Sequence, residues 1–410
     1  MPDPIDRLLD AAESGKSIIK NREILHFTYI PEIIQYRDSE QEQVTQSLAP
    51  ILKHSRPSTL LLYGKPGTGK TLVVKKVLKK IQERVEKSDF SIKLAYTNAK
   101  QETTLYGLLF SFGKQLGINS QKPKKDEEEQ IWLPETGLSI SGVFNRIIEF
   151  ITKHHLNTIF VIDEIDSLAD LASKTGEDIL YKLTRANERL QSGSLTLVGI
   201  SNDLTFKERL GPRVISSLGE EEIVFTNYNV EQIKKILKER IHESFVEDSV
   251  EEPALNLCAA LAGGEHGDAR RAINLIRVAG EIAERQQSDK VTENHVRIAS
   301  LKIEEDKEET SLKSYPLHEK LVILAIIKSG GPSTGEIYAS YKGLCKAVGR
   351  DGLTQRRITQ MLSEIELSGI ITGRLVHQGI HGRTKKYKLT ISPEMVKKTF
   401  KDDLTLQDII

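Results

Sequence analysis

The stretch Gly64-Lys65-Pro66-Gly67-Thr68-Gly69-Lys70-Thr71 follows the apolar run Thr59-Leu60-Leu61-Leu62-Tyr63 and precedes a helical pattern over residues 72–85. This order of strand, glycine loop and helix predicts a phosphate-binding loop, because backbone N–H groups and a helix N-terminus then converge on one anion. We expect Lys70 to bridge the β- and γ-phosphates of a nucleotide and the Thr71 hydroxyl to ligate magnesium. The alternative is a glycine-rich turn that binds nothing. The predicted nucleotide-binding residues of this loop are Gly64, Lys65, Pro66, Gly67, Thr68, Gly69, Lys70, Thr71 and Leu72.

The composition is that of a globular protein with more than one domain. The chain has 410 residues, of which 38% are hydrophobic and 28% charged, enough for two or three domains. Its net charge is zero, but residues 315–400 contain 14 Lys and Arg against 6 Asp and Glu. The N-terminus has no basic-then-apolar signal and the aliphatic run 321–327 is too short to span a bilayer, so we expect a soluble intracellular protein without a membrane partner. Cys258 and Cys345 have no metal or disulfide spacing and are expected to fill cores.

Polar residues follow two further apolar runs. The run 158–162 ends in Asp163-Glu164, which is typical of a buried parallel strand whose carboxyl end faces a nucleotide. Asp163 is expected to hold magnesium and Glu164 to orient an attacking water, unless both merely solvate the strand end. Asn202 follows the run 195–200 and could reach the water or the γ-phosphate, or could simply form a turn.

Two arginine-bearing stretches are candidates for contacts with a nucleotide. Arg213 follows Gly211-Pro212 on what we expect to be an exposed corner, where it could act on a neighbouring subunit or form a surface ion pair. Asp268 is expected to cap a helix whose first turn presents Arg270 and Arg271. Two cations at the positive end of a helix dipole favour an anionic ligand.

The C-terminal part of the chain has the pattern of a winged helix-turn-helix. Residues 302–313 are highly charged and read as a linker or an exposed helix. Three helical patterns follow, over 317–328, 334–348 and 354–367, and then a basic hairpin with glycines near its tip. A winged helix used for protein contact is the alternative. The predicted DNA-binding residues are Thr354, Gln355, Arg356, Arg357 and Gln360 on the recognition helix and Arg374, Arg383, Lys385 and Lys386 on the wing.

Taken in order, these stretches resemble one family. The sequence resembles the archaeal replication initiators related to origin recognition complex subunit one and cell division control protein six. The resemblance is carried by the phosphate loop (Walker A), Val161-Ile162-Asp163-Glu164 (Walker B), Gly199-Ile200-Ser201-Asn202, Pro212-Arg213-Val214-Ile215-Ser216-Ser217-Leu218 and Gly267-Asp268-Ala269-Arg270-Arg271-Ala272. The resemblance runs from about residue 29 to about residue 390. It is less close at residues 121–135, which are longer and more charged than the family pattern.

The resemblance implies the fold class and the domains. The fold is an α/β AAA+ core with a five-stranded parallel sheet, an all-α lid and a C-terminal winged helix. The expected domains are residues 1–226 for the core with an N-terminal arm and an insertion, 227–300 for the lid, 301–313 for a charged linker, and 314–410 for the winged helix.

The resemblance also assigns roles to matched residues. The cofactors it implies are ATP or ADP and magnesium, held by Lys70, Thr71 and Asp163. Glu164 is expected to act on the attacking water. Asn202 becomes the first sensor, Arg213 the arginine finger, and Arg270 the second sensor, which is both catalytic and nucleotide-binding. The stretch Tyr29-Ile30-Pro31 resembles the family's segment beside adenine, and the helix at 103–116 resembles the initiator-specific insertion that also touches DNA.

The function implied is that of an ATP-dependent replication initiator. Such a protein binds double-stranded origin DNA and helps to recruit the replicative helicase, the minichromosome maintenance complex, with ATP binding and slow hydrolysis as a switch. Other initiator copies or paralogues are further expected partners, and the expected location is the cytoplasm, at the nucleoid. The alternatives are a AAA+ branch-migration motor, which also ends in a winged helix, and a signalling ATPase whose winged helix only packs internally. The basic surplus at residues 315–400 argues against the signalling ATPase.

Overall fold

The computed structural model describes residues 17–87, 91–102, 104–123, 130–169, 171, 179–218, 221–265, 267–330, 333–377 and 383–410. These residues fall into two compact units that divide between Val296 and Arg297. The first unit contains a five-stranded parallel sheet in the order β2-β3-β4-β1-β5. Its strands are β1 (Leu60–Tyr63), β2 (Ile92–Asn98), β3 (Asn157–Asp163), β4 (Ser194–Ser201) and β5 (Glu221–Val224).

The three central strands form where the sequence has continuous apolar runs. Strands β1 and β4 are buried along their whole length, and β3 is buried from Thr158 onward. Such runs fit a parallel sheet, because helices cover both of its faces. On one face Val73 and Val77 of the helix after the phosphate loop join the core, and on the other the rings of Phe112 and Phe160 stack 3.9 Å apart. The five-stranded sheet confirms the predicted α/β core.

The first unit contains α-helices before, between and after its strands. They include α1 (Asp38–Leu48), α2 (Lys70–Val85), α3 (Leu105–Leu116), α4 (Ile140–Lys153), α5 (Ile179–Thr184), α6 (Pro212–Leu218), α7 (Val230–Ser244), α8 (Glu252–Glu265) and α9 (Ala269–Arg285). The last three of these lie in the predicted lid, residues 227–300. The lid begins with a capping box, in which Asn229 and Gln232 satisfy each other's backbone N–H groups. A helix, α10 (Glu293–Ser314), passes through the charged segment at 302–313.

The second unit has the elements of a winged helix. Its helices after α10 are α11 (Leu317–Ser329), α12 (Thr334–Ala347), α13 (Gln355–Leu367) and α14 (Pro393–Phe400), and its hairpin is β6 (Ile371–His377) paired with β7 (Arg383–Leu389). The core is aliphatic around the fully buried Tyr341. Helix α14, which our sequence analysis did not predict, buries Val396 and Phe400 in this core. None of the described helices is long and apolar enough to cross a membrane.

Candidate nucleotide site and nucleic-acid interface

Three strand ends bring the predicted phosphate and magnesium residues together. Strand β1 pairs with β4, and β4 pairs with β3, all parallel, so their carboxyl ends lie side by side. The register sets Tyr63 opposite Ser201 and Asp163 opposite Ile200. The phosphate loop, the Asp163-Glu164 pair and Asn202 therefore leave the sheet at adjacent points of one edge, where ligands of open α/β sheets bind.

The ammonium group of Lys70 lies inside the phosphate loop. Lys70 is 4% exposed, and its Nζ donates hydrogen bonds to the carbonyl oxygens of Gly64 (2.6 Å) and Lys65 (2.9 Å) and to Asn202 Oδ1 (2.9 Å). Burial lowers the pKa of Lys70 to about 8, Asp163 opposes this shift, and the nearby charge of Arg270 adds to it. A buried cation held by neutral oxygens is a favourable partner for the phosphate oxygens of a nucleotide.

Thr71 and Asp163 form a hydroxyl–carboxylate pair beside Lys70. Thr71 Oγ1 donates to Asp163 Oδ2 at 2.9 Å, and the Asp163 side chain is almost buried. The other carboxylate oxygen, Oδ1, accepts the backbone N–H of Glu164 at 2.9 Å. A hydroxyl and a carboxylate are hard oxygen ligands of the kind that Mg²⁺ takes in nucleotide sites, so these residues fit the metal that the sequence predicts.

Glu164 has a strained backbone at the end of β3. Its φ angle is 52°, a left-handed conformation that non-glycine residues adopt rarely and that concentrates at functional sites. Its Oε2 lies 3.8 Å from Lys100 Nζ, which follows β2. The lysine contact was not predicted, because only the tertiary structure brings the ends of β2 and β3 together.

The start of lid helix α9 lies against the phosphate loop. Asp268 caps this helix by accepting the backbone N–H groups of Arg270 (2.8 Å) and Arg271 (3.1 Å), as predicted. The backbone N–H of Ala269 lies 3.4 Å from the carbonyl oxygen of Gly67, which it contacts as a donor. Because the charge of Arg270 also lowers the pKa of Lys70, the structure brings the predicted second sensor near the phosphate site.

A buried arginine that sequence analysis missed connects the loop to the start of the lid. Arg37 is 3% exposed, and its guanidinium donates to the carbonyl oxygens of Thr68 (2.9 Å) and Thr226 and to Glu40 Oε1 (2.8 Å). Its guanidinium carbon lies 4.0 Å from the centre of the Tyr228 ring. No local pattern indicated this role, because the carbonyl partners in Thr68 and Thr226 are distant in sequence.

Tyr29, Ile30 and Pro31, expected beside adenine, lie half-buried near lid helix α7. The hydroxyl of Tyr29 donates to Glu243 Oε2 at 3.3 Å, and Arg240 lies 4.6 Å from the centre of its ring. The adjoining carbonyl oxygen of Glu32 accepts a hydrogen bond from Lys76 of α2. The segment therefore lies between the lid and the helix that follows the phosphate loop. The adenine contact stays a prediction.

Arg213 lies at the exposed start of α6, apart from the residues that surround Lys70. Within the described part of the chain its guanidinium forms no ion pair, and its role as an arginine finger stays a prediction. The helix predicted at 103–116 is observed as α3, from Leu105, and residue 103 lies outside the described residues. Residues 124–129 of the charged insertion lie outside them as well.

The N-terminal turn of α13 presents the predicted recognition residues. Thr354 caps the helix through its side chain, and Gln355 and Arg356 are exposed in the first turn. Arg357 NH1 lies 3.4 Å from Glu364 Oε1, which also accepts a hydrogen bond from Gln360 Nε2 at 2.9 Å. Arg356 makes no ion pair with any described residue, so it is the arginine of this turn that is available to a ligand.

The two faces of the wing differ in their charge environment. Lys385 is ion-paired with Glu366 at the C-terminal end of α13. Lys386 points to the opposite face, because successive side chains of a strand alternate, and it pairs directly with Arg374 of β6. Arg374 and Lys386 are both exposed, and two like charges directly opposite each other are destabilising unless an anion binds. The side chain of Arg383 lies outside the described residues.

These features define the class of protein, a AAA+ ATPase. A parallel sheet carries the phosphate loop, a helical lid reaches that loop, and a winged helix, a type of domain found in nucleic-acid-binding proteins, follows at the C-terminus. Family models agree: residues 53–206 match an AAA domain, residues 234–301 match the Cdc6 AAA+ ATPase-type lid domain, and residues 310–399 match the CDC6 C-terminal winged helix domain.

Sequence similarity to known proteins extends over nearly the whole chain. The chain is 66% identical over 408 residues to the ORC1-type DNA replication protein of Cenarchaeum symbiosum, covering 100% of this chain and 97% of that protein. The ORC1-type DNA replication protein of Pyrococcus abyssi is 39% identical over 411 residues, with 99% and 95% covered. The structure of the Aeropyrum pernix ORC1 protein in complex with DNA superimposes with a TM-score of 0.84 at 36% identity, covering 96% of this chain and 100% of that one. The chain belongs to the ORC1-type DNA replication proteins, which confirms the resemblance seen in the sequence.

Proposed function

We propose that this protein is an ATP-dependent initiator that binds duplex DNA at replication origins through its winged helix and the α3 region. ATP binding and slow hydrolysis act as its switch, and it helps to recruit the replicative helicase, the minichromosome maintenance complex. It works with other initiator copies or paralogues in the cytoplasm, at the nucleoid. The structure of the Aeropyrum pernix ORC1 protein in complex with DNA supports the choice of DNA as ligand.

One observation carries the DNA-binding part of the proposal. Arg374 and Lys386 lie directly opposite each other on the exposed face of the wing, and each lacks an ion-pair partner among the described residues. Arg356 adds a third such cation at the N-terminal end of α13, where the helix dipole disfavours positive charge. Three exposed cations without an ion pair to a described residue fit a polyanion, and their elements are the two that a winged helix uses on DNA.

The nucleotide-binding part rests on the geometry around Lys70. Lys70 binds the β- and γ-phosphates, exchanging its loop carbonyl partners for charged oxygens, while Thr71 and Asp163 hold magnesium. When bound there, magnesium would supply positive charge against the phosphate oxygens. Glu164 orients the attacking water, Asn202 senses the γ-phosphate next to Lys70, and Arg270 approaches from the lid. Arg213 completes the site of a neighbouring molecule.

Footprinting of the purified full-length protein on its own genomic DNA, with and without ATP, tests the proposal. We expect protected duplex sites whose occupancy depends on nucleotide. Absence of any preferred site under both conditions contradicts origin binding. Fast, DNA-stimulated turnover by a hexamer would instead support the branch-migration motor.

Variants then separate sequence reading from phosphate contact. On the protected duplex, Arg356→Ala should lose binding selectively relative to a scrambled duplex, since a bidentate arginine–guanine contact discriminates by about 1–3 kcal/mol. Lys386→Ala should weaken both duplexes alike and lower the log–log salt slope by about 0.9 for the lost phosphate contact. The control Lys397→Ala removes the same charge from exposed α14 and should leave the slope unchanged. If Lys386→Ala and Lys397→Ala changed the salt slope equally, the wing would not be part of the DNA interface.

A further inference from the structure

Asp163, the predicted magnesium-holding carboxylate, receives a second hydroxyl that lies outside the phosphate loop. Tyr96 of β2 donates its phenolic proton to Asp163 Oδ2 at 2.6 Å. This is the same oxygen that accepts from Thr71 Oγ1 at 2.9 Å. The backbone N–H of Glu164 occupies Oδ1. Both carboxylate oxygens are therefore held, by three donors from three different elements.

The position of Tyr96 is itself fixed from two sides. Strand β2 is at the edge of the sheet, and the side-chain amide of Gln115 from α3 pairs with its main chain there. The N–H of Tyr96 donates to Gln115 Oε1 at 2.9 Å, and Gln115 Nε2 donates to the carbonyl oxygen of Tyr96 at 3.0 Å. The ammonium group of Lys75 from α2 lies 4.4 Å from the centre of the tyrosine ring. Tyr96 is thus held at its backbone by Gln115 and at one face of its ring by Lys75.

Tyr96 is suited to act only as a donor. A phenol keeps its proton at neutral pH, and Tyr96 uses that proton to donate to Asp163 Oδ2. A donor that never ionises leaves the negative charge on the carboxylate, where a metal ion can use it. Removing a group that orients a metal-binding carboxylate in this way typically lowers metal affinity by about 10- to 100-fold.

We propose that Tyr96 is a positioning residue for magnesium: its hydroxyl holds the Asp163 carboxylate in the orientation that binds the metal of the nucleotide complex. The proposal rests on the nucleotide-binding function proposed above. It adds that Mg²⁺ affinity depends on a side chain of β2 outside the Walker motifs. Since α3 holds the backbone of Tyr96 through Gln115, the metal carboxylate is also connected to the region that we propose contacts DNA.

The test compares two tyrosine-to-phenylalanine variants of the full chain. Tyr96→Phe removes only the donor to Asp163. The matched control is Tyr63→Phe, because the Tyr63 hydroxyl is buried without a hydrogen-bond partner among the described residues, and its ring packs against Phe206. Binding of ADP is measured by calorimetry, first with EDTA and then at a series of Mg²⁺ concentrations. Thermal melting reports the stability of each variant.

For Tyr96→Phe we expect the Mg²⁺ concentration that gives half of the metal-dependent gain in ADP affinity to rise about 10- to 100-fold. ADP affinity in EDTA should match that of the wild type, and Tyr63→Phe should match it under both conditions. An unchanged Mg²⁺ midpoint in Tyr96→Phe overturns the proposal, whatever the melting temperature. An equal loss of ADP affinity with and without metal also overturns it, because that result indicates a general structural role. If the wild type binds no ADP with or without Mg²⁺, the proposed nucleotide function itself fails, and if it binds ADP without any gain from Mg²⁺, the proposal for Tyr96 fails.

Discussion

The carboxylate of Asp268 lies directly over Gly67, so closely that a Cβ added to Gly67 would be 1.7 Å from Asp268 Oδ1. The same carboxylate oxygen caps α9. A second loop glycine is also confined, since a Cβ on Gly64 would be 2.5 Å from the carbonyl oxygen of Phe225. Gly67 is therefore required by the contact with the lid as well as by phosphate, whereas Gly64 is required by the chain that follows β5 in the core.

Gly67→Ala should impair both the loop and the docking of the lid. The residue has a φ of 74°, where an alanine costs about 1–2 kcal/mol before the collision with Asp268 is counted. We expect ADP affinity, measured by calorimetry, to fall by at least about tenfold, which corresponds to 1.4 kcal/mol. Gly343→Ala is the control: it lies in α12 with open space around it and should stabilise the protein by about 0.5–1 kcal/mol without affecting ADP. Wild-type ADP affinity in Gly67→Ala would show that the lid contact is not needed.

Lys70→Ala and Glu164→Gln should have separable effects. Lys70→Ala removes a phosphate contact of the bound ground state and should abolish nucleotide binding. Glu164→Gln removes only a group that orients water, so it should bind ATP normally and lose hydrolysis. Equilibrium binding and single-turnover hydrolysis measure the two quantities. An equal loss of ATP affinity in both variants would contradict the role that we assign to Glu164.

Arg213→Ala should show its effect only in an assembly. Its exposed position on α6 fits a residue that completes a neighbouring site, where an arginine finger contributes about 10³- to 10⁵-fold in rate. We expect normal ATP binding and normal basal turnover in the monomer, with loss of any stimulation on DNA. If monomer turnover fell as far as in Glu164→Gln, the arginine would be acting within its own subunit.

Thiol labelling should report the unfolding of each unit separately. Cys258 is buried in the first unit and Cys345 in the second. Burial raises the pKa of Cys258 to about 12, so at pH 8 roughly one thiol in ten thousand would be ionised even if reagent reached it. We expect iodoacetamide to leave both cysteines of the native protein unmodified and to label each at the denaturant concentration where its own unit unfolds. Peptide mass spectrometry distinguishes the two sites. Rapid labelling of Cys258 in the native protein would contradict its burial.

The sequence by itself determined the features that depend on neighbouring residues. The strand, glycine loop and helix around Lys70 lie within one continuous stretch, as do the apolar run ending in Asp163 and the cap of α9 at Asp268. Local periodicity also indicated the three helices and the hairpin of the second unit. Element boundaries agree with the prediction to within a few residues, because apolar spacing and turn residues act over one or two turns of chain.

Only the tertiary structure decided which distant side chains meet. Tyr96 and Asp163 are 67 positions apart, and Arg37 and Thr226 are 189 positions apart. The order of strands β2-β3-β4-β1-β5 brings such residues together, and hydrophobic periodicity carries no information about that order. The same holds for the wing, where Lys385 and Lys386 are equivalent in the sequence. Packing against α13 gives Lys385 a carboxylate partner and leaves Lys386 facing solvent, because adjacent residues of a strand point to opposite faces.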